Sequence, residues 1–211
     1  MQKGLFITFE GADGCGKTTQ INLLKTYLED KTYDVVLTRE PGSIGLGEMI
    51  REILLNYNGE VSDRCESFLF LADRAQNVDT IIKPAINKGK IVLCDRFTDS
   101  TVAYQGYGRG LNIDEINSLN TIATKGLKPD LTIVFDIDIE TSMRRIGANK
   151  DRMENSGIDF FNRVRHGYLE LAKKEPERIK VIDSNRSKEE INKELTNLVN
   201  NLFKQKSLAQ D

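Results

Sequence analysis

Hydrophobic residues fall into two patterns along this chain, short continuous apolar runs and longer stretches with helical spacing. Leu5 to Phe9 reads as a buried strand, followed from about Lys17 by a helix with Ile21, Leu24 and Leu28 on one face. Val35 to Leu37 is a second strand, and Leu46, Met49, Ile50, Ile53 and Leu54 then share a helical face. A long helical stretch from Asp63 to Lys88 is expected to kink at Pro84 and close at Gly89. Ile91 to Cys94, Leu131 to Phe135 and Ile179 to Ile182 complete the strands. Between them the pattern predicts a loop-rich segment as far as Gly110, a helix from Asp114 to Lys125, and a short helix from Glu140 to Ile146. A further helix places Phe161, Val164, Tyr168, Leu171 and Ala172 on one face and ends before Pro176. The last helix opens with Ser187 and Glu190, the spacing of a capping box, and gives way to a polar tail at about 204–211.

Five apolar strands separated by helices predict an α/β fold, a five-stranded parallel sheet with helices on both faces. No repeat, low-complexity tract or linker interrupts the pattern, so residues 1–211 are read as a single domain. Ligands of such sheets gather outside the carboxyl ends of the strands. That points to Glu10 to Lys17, Arg39 to Gly42, Asp95 to Gly110 and the region after Asp136. The polar stretch 147–157 is bounded by glycines and has little apolar surface to bury, so it is expected to be a mobile lid.

Charge narrows the chemistry. With 30 basic against 32 acidic side chains, the chain has no global basic field for nucleic acid, so any phosphate binding is local. No apolar run is long enough to span a membrane, and the chain enters a strand directly after Met1 to Gly4 with no signal-peptide pattern. Cys15, Cys65 and Cys94 form no paired motif, which suits a reducing cytoplasm.

Gly11-Ala12-Asp13-Gly14-Cys15-Gly16-Lys17-Thr18 matches G-x-x-x-x-G-K-[ST] between a strand and an amphipathic helix. Such a loop turns consecutive N–H groups toward phosphate oxygens, and the helix N-terminus opened by Thr18 and Thr19 adds partial positive charge. Lys17 is expected to reach the β- and γ-phosphates of a nucleotide and the Thr18 hydroxyl to ligate Mg²⁺. No guanine-reading N-K-x-D tetrapeptide is present; Asn149-Lys150-Asp151-Arg152 has its Asp one place early. A kinase for a second phosphate needs further cations. Candidates are Arg39, Arg74, Arg96 and Arg109, then Arg144, Arg145, Lys150 and Arg152.

Several separate motifs extend this pattern. They are Phe9-Glu10-Gly11, Thr38-Arg39-Glu40-Pro41-Gly42, Leu69-Phe70-Leu71-Ala72-Asp73-Arg74, Asp95-Arg96-Phe97, Ala103-Tyr104-Gln105-Gly106, Asp151-Arg152-Met153-Glu154 and Phe160-Phe161-Asn162-Arg163. In combination and over nearly the full length, the chain resembles the bacterial thymidylate kinases, which have a P-loop kinase architecture. The resemblance implies transfer of the γ-phosphoryl group of ATP, with Mg²⁺, onto dTMP. It implies that Arg96 grips the dTMP phosphate, that Asp95 holds Arg96 or a magnesium-bound water, and that Asp13 faces the sugar 3′-hydroxyl. It places Arg39 and Pro41 at the substrate, Phe70 stacked on the base, Arg74 on the thymine O4, Thr101 and Gln105 at the base edge, and Tyr104 against the sugar. Arg152 is expected to bring charge to the phosphates when the lid folds over. Homodimers are implied as well, and the apolar helix around Phe68 to Ala72 suits either an interface or the core. Cys15, Phe97 and Ser43 depart from the usual residues without removing a group the reaction needs. His166, the lone histidine, reads as a surface residue. A deoxynucleoside kinase using Glu10 or Glu40 as base, and a P-loop ATPase coupled to a partner, remain as alternatives.

Overall fold

A computed structural model describes residues 4–147 and 151–208. Five strands, β1 (Leu5–Gly11), β2 (Val35–Arg39), β3 (Ile91–Asp95), β4 (Leu131–Asp136) and β5 (Ile179–Asp183), form one sheet in the order β2-β3-β1-β4-β5. Every pairing is parallel. The expected strands are all present, each a little longer at its carboxyl end. From β1 the chain crosses to one side for β2 and β3 and to the other for β4 and β5. A crevice therefore opens at the carboxyl end of β1.

Alternation along the strands divides the core. Ile7 and Phe9 of β1, Leu93 of β3 and Ile133 of β4 pack with Leu24 and Leu28 of α1 (Lys17–Asp30) and with Leu195 and Val199 of α9 (Lys188–Leu208). Phe6, Val92 and Cys94 point the other way, against Val78 and Ile82. Val134 joins Phe160, Phe161, Val164 and Tyr168 of α8 (Ile158–Lys174) on that same second face. Leu24 and Leu28 are fully buried, each worth about 1.5–3 kcal/mol relative to exposure. The capping box at the start of α9 forms, with Ser187 Oγ accepting from Glu190 N at 3.3 Å and Glu190 Oε2 accepting from Ser187 N at 3.1 Å. The expected polar tail is helical as far as Leu208.

Two expectations change. The long helix is α3 (Asp63–Asn77) and α4 (Lys83–Asn87), joined by a wide π-helical turn at Val78–Ile82. The irregularity thus lies before Pro84, in the turn whose hydrogen bonding the missing proline N–H disrupts. The segment after β3 is not loop-rich but α5 (Thr98–Thr101) running into a π-helix, Val102–Gly108. Its glycines mark close packing rather than a loop: a Cβ on Gly108 would lie 2.6 Å from the Phe160 ring of α8. The remaining helices are α2 (Leu46–Asn56), α6 (Ile113–Thr124) and α7 (Ile139–Ile146).

Candidate active site

The glycine motif closes a loop at the end of β1. Gly11 has φ of 131°, and a Cβ there would sit 2.5 Å from the Phe135 carbonyl, so only glycine fits. Lys17 curls over this loop and donates to the carbonyls of Gly11 and Ala12, both at 3.0 Å, with Cys15 Sγ at 3.6 Å. These are partners that a phosphate would replace. From α7, Ser142 Oγ donates to the Asp13 carbonyl at 2.6 Å and Arg145 Nη1 donates to the Gly14 carbonyl at 3.3 Å. Gly14 to Thr19 line an open cleft with Arg39, Arg51, Asp95 and Arg96.

Arg96 sits where this cleft meets a second one. Its backbone is in the left-handed region at φ 69°, uncommon for a side chain with a Cβ and held by Arg96 N donating to the Phe9 carbonyl at 2.9 Å. The guanidinium donates to Asp13 Oδ1 at 2.8 Å and to the Gly11 carbonyl at 3.0 Å, and lies 5.1 Å from the Tyr104 ring centre. Burial works against the charge of Asp13, but Arg96 and Lys17 hold its carboxyl below the ordinary range. Beneath Arg96, Glu10 is fully buried. Its Oε1 accepts from Phe97 N at 2.9 Å, and its Oε2 accepts from Ser100 Oγ and, at 3.2 Å, from the Tyr168 hydroxyl. Burial, helped by the neighbouring Asp99, pushes Glu10 up to about 7.

The second cleft is lined by Asp13, Pro41, Phe70, Arg74, Tyr104 and Gln105 among others. Arg74, from α3, is 1% exposed and donates four hydrogen bonds: Nε to Glu40 Oε2 at 2.8 Å, Nη1 to Thr101 Oγ1 and to Asn120 Oδ1 at 2.7 Å each, and Nη2 to the Phe97 carbonyl at 2.9 Å. Glu40 also accepts from Asn77 Nδ2 at 2.9 Å. At the far wall Glu66 is fully buried beneath Gln105, Arg109 and Arg152.

Most residues expected from the sequence converge here. Lys17, Thr18, Thr19, Arg39 and Asp95 line the first cleft; Pro41, Phe70, Arg74, Thr101, Tyr104 and Gln105 line the second; Asp13 and Arg96 line both. Gly11 and Ala12 lie behind the loop and contribute carbonyls to Lys17. Arg152 lies apart from these residues. Instead of facing the phosphate-binding loop, it donates to the Leu54 carbonyl at 2.8 Å and pairs with Glu66 Oε2 at 2.7 Å. A carboxylate buried without a paired cation is strongly unfavourable, and Arg152 helps to compensate Glu66, while its neighbours Asp151 and Met153 line the second cleft. This half of the expected lid is therefore packed; Lys150 lies outside the described residues. His166 is exposed, as expected. The apolar stretch from Phe68 to Ala72 is divided: Phe68, 52% exposed, and Ala72 face the surface, whereas Leu71 is buried.

Sequence reasoning missed Arg51, which lines both clefts and donates to the Pro41 carbonyl at 2.9 Å. Its one signal is a lone arginine on α2 beside the buried Ile50. Burial and the facing Arg39 and Arg96 depress its pKa, as expected of a cation in a site built for an anion. Glu66 was missed too, because an acidic residue in a first helical turn reads as a dipole partner.

A family model described as thymidylate kinase matches residues 9–195. A thymidylate kinase of Desulfovibrio desulfuricans is 48% identical over 89% of this chain and 91% of its own. That of Pelotomaculum thermopropionicum is 52% identical over 88% of each. The crystal structure of thymidylate kinase from Ehrlichia chaffeensis superposes with a TM-score of 0.78 at 38% identity, covering 93% of this chain and 99% of that one. A family match over most of the length, relatives near half identical over about nine tenths of each chain, and the same fold in a solved member together place this chain in the thymidylate kinase family.

Proposed function

We propose that the chain transfers the γ-phosphoryl group of Mg-ATP to the 5′-phosphate of dTMP, giving dTDP. One observation carries the reading: the phosphate-loop cleft and the base cleft share a wall made of Asp13, Glu40, Arg51 and Arg96. Two arginines at the junction of two clefts bring a donor and an acceptor polyanion together and neutralise the charge between them. The acceptor is already an anion, so no general base is needed, and positioning carries the rate.

The donor side follows from the loop. ATP phosphates would take the N–H groups of Gly14 to Thr18 and draw Lys17 off the carbonyls it now holds. The Thr18 hydroxyl and Asp95 would hold Mg²⁺, which would supply charge neutralisation at the phosphates. Both residues line the cleft, and Asp95 Oδ1 is buried with no hydrogen-bond partner among the described residues, the kind of oxygen a cation or its water would satisfy. Arg145, already on the loop, is the lid-side cation in place of Arg152. On the acceptor side Arg96 and Arg51 would bind the dTMP phosphate, with Asp13 released from Arg96 toward the sugar. A deoxynucleoside kinase is disfavoured by the state of its would-be bases. Phe97 N, Ser100 and Tyr168 occupy Glu10, and Arg74 and Asn77 occupy Glu40. Among the described residues no helix is long and apolar enough to cross a membrane. We assign the enzyme to the cytoplasm as a homodimer joined through the α3 face of Phe68 and Leu69.

The test is ADP release with dTMP, dUMP, thymidine, dCMP and dGMP as acceptors. The expected order puts dTMP first and dUMP about 10- to 200-fold behind, since a methyl group in an apolar pocket discriminates by that much. Preference for thymidine or dGMP would overturn the reading.

A further inference from the structure

We propose that Glu66 is a positioning residue that sets the direction of the Gln105 side-chain amide and, through it, the choice of thymine over cytosine. The inference rests on the reading above, in which the pyrimidine enters the cleft at Arg74.

A glutamine amide can present either its oxygen or its nitrogen to a ligand, and its partners decide which. Gln105 is 1% exposed and lines the base cleft. Its Nε2 donates to Glu66 Oε1 at 3.0 Å. Glu66 in turn takes Arg109 Nε on Oε1 at 3.2 Å and Arg109 Nη2 on Oε2 at 3.2 Å, with Arg152 Nη2 on Oε2 at 2.7 Å. Burial would push this carboxyl up, but Arg109, Gln105 and Arg152 outweigh it and hold its pKa low. An ionised carboxylate only accepts. One Gln105 Nε2 proton is thereby committed to Glu66, which holds the nitrogen on the Glu66 side and turns Oε1 toward the base edge.

Arg74 supplies the complement. Both Nη1 protons go to Thr101 and Asn120, Nε goes to Glu40, and one Nη2 proton goes to the Phe97 carbonyl, so that among the described residues the other Nη2 proton is left for a ligand. The edge of the cleft is a donor beside an acceptor. Thymine offers an O4 acceptor beside its N3–H donor and fits both. Cytosine offers an N4 donor beside an N3 acceptor, which sets donor against donor and acceptor against acceptor. Uracil shares the thymine edge and is untouched by this device. Arg152 thus has a role away from the phosphates: with Arg109 it keeps Glu66 charged.

The Glu66→Gln variant separates this from a purely structural role. Its one amide oxygen goes to the Oε2 side, where two guanidiniums donate, so its nitrogen faces Gln105. Gln105 then turns, and its nitrogen enters the cleft. The kcat/KM ratio of dTMP to dCMP is expected to fall about 10- to 100-fold, the effect of one mispaired buried group. The dTMP to dUMP ratio stays at the wild-type value, because both bases meet the same altered edge. The double variant Glu66→Gln with Gln105→Glu returns an acceptor to the cleft at unchanged net charge and should restore the wild-type dTMP to dCMP ratio. An unmoved ratio in Glu66→Gln, or equal movement of both ratios, overturns the proposal. Should Glu66→Gln fail to fold, the double variant carries the test alone: a wild-type ratio supports the proposal and lost discrimination overturns it. Wild-type enzyme inactive on dTMP would instead refute the function proposed above, leaving the two failures distinguishable.

Discussion

The two clefts that meet at Arg96 are built by opposite means. The phosphate end is backbone: a contiguous eight-residue motif, a helix N-terminus, and a lysine resting on loop carbonyls at 3.0 Å. The base end is side chains drawn from across the chain. Arg74 reaches Glu40, Thr101 and Asn120, and Glu66 reaches Gln105, Arg109 and Arg152. A backbone site loses function when one group is removed but keeps its shape. A buried side-chain network loses shape first, because each charge removed leaves another uncompensated in a low dielectric.

That contrast predicts where substitutions act. Arg74→Ala should lower stability by about 3–5 kcal/mol in urea denaturation, since it strands Glu40; a change near zero would mean the network is solvated and the contrast is wrong. Lys17→Ala should leave the urea midpoint near wild type and cut kcat by about 10²- to 10³-fold, the scale of losing one preorganised group at the developing charge. Arg145→Ala should lower kcat on the order of tenfold with KM values little changed, the mark of an interaction made in the transition state. Arg152→Ala should act on acceptor choice instead, and equal kcat losses in the two variants would return Arg152 to the phosphates. The smallest effect concerns pH. The folded pKa of Glu10, about 7, lies above the ordinary 4.5, so the folded state takes up this proton first. Its contribution to stability is present below about 4.5 and is lost as pH rises through about 7. Melting temperature without ligand should therefore fall with pH through this range for this group, and Glu10→Gln should flatten the slope.

The same contrast explains what could be read in advance. The sheet was legible because each strand is a short apolar run, and the phosphate loop because its residues are consecutive. Arg39, Phe70 and Arg96 were reachable through recognisable segments. The segment Thr98–Gly108 read as loop because glycine content signals flexibility, whereas Gly108 is there so that α8 can approach. The position of Arg152 is not legible in the sequence, because charge in a polar stretch carries no address. Its partner Glu66 lies far back in the chain, and only the fold brings the two to 2.7 Å. Arg51 carried no motif at all.

The central claim is that Arg96 belongs to the acceptor side of a shared wall. Calorimetric titration of Arg96→Ala with dTMP, and separately with a non-hydrolysable ATP analogue, tests it most directly. Loss of charge-assisted bonds to the acceptor phosphate should weaken dTMP about 10- to 100-fold, while the ATP analogue binds within about twofold of wild type. Weakened binding of the ATP analogue with dTMP binding intact would contradict the account.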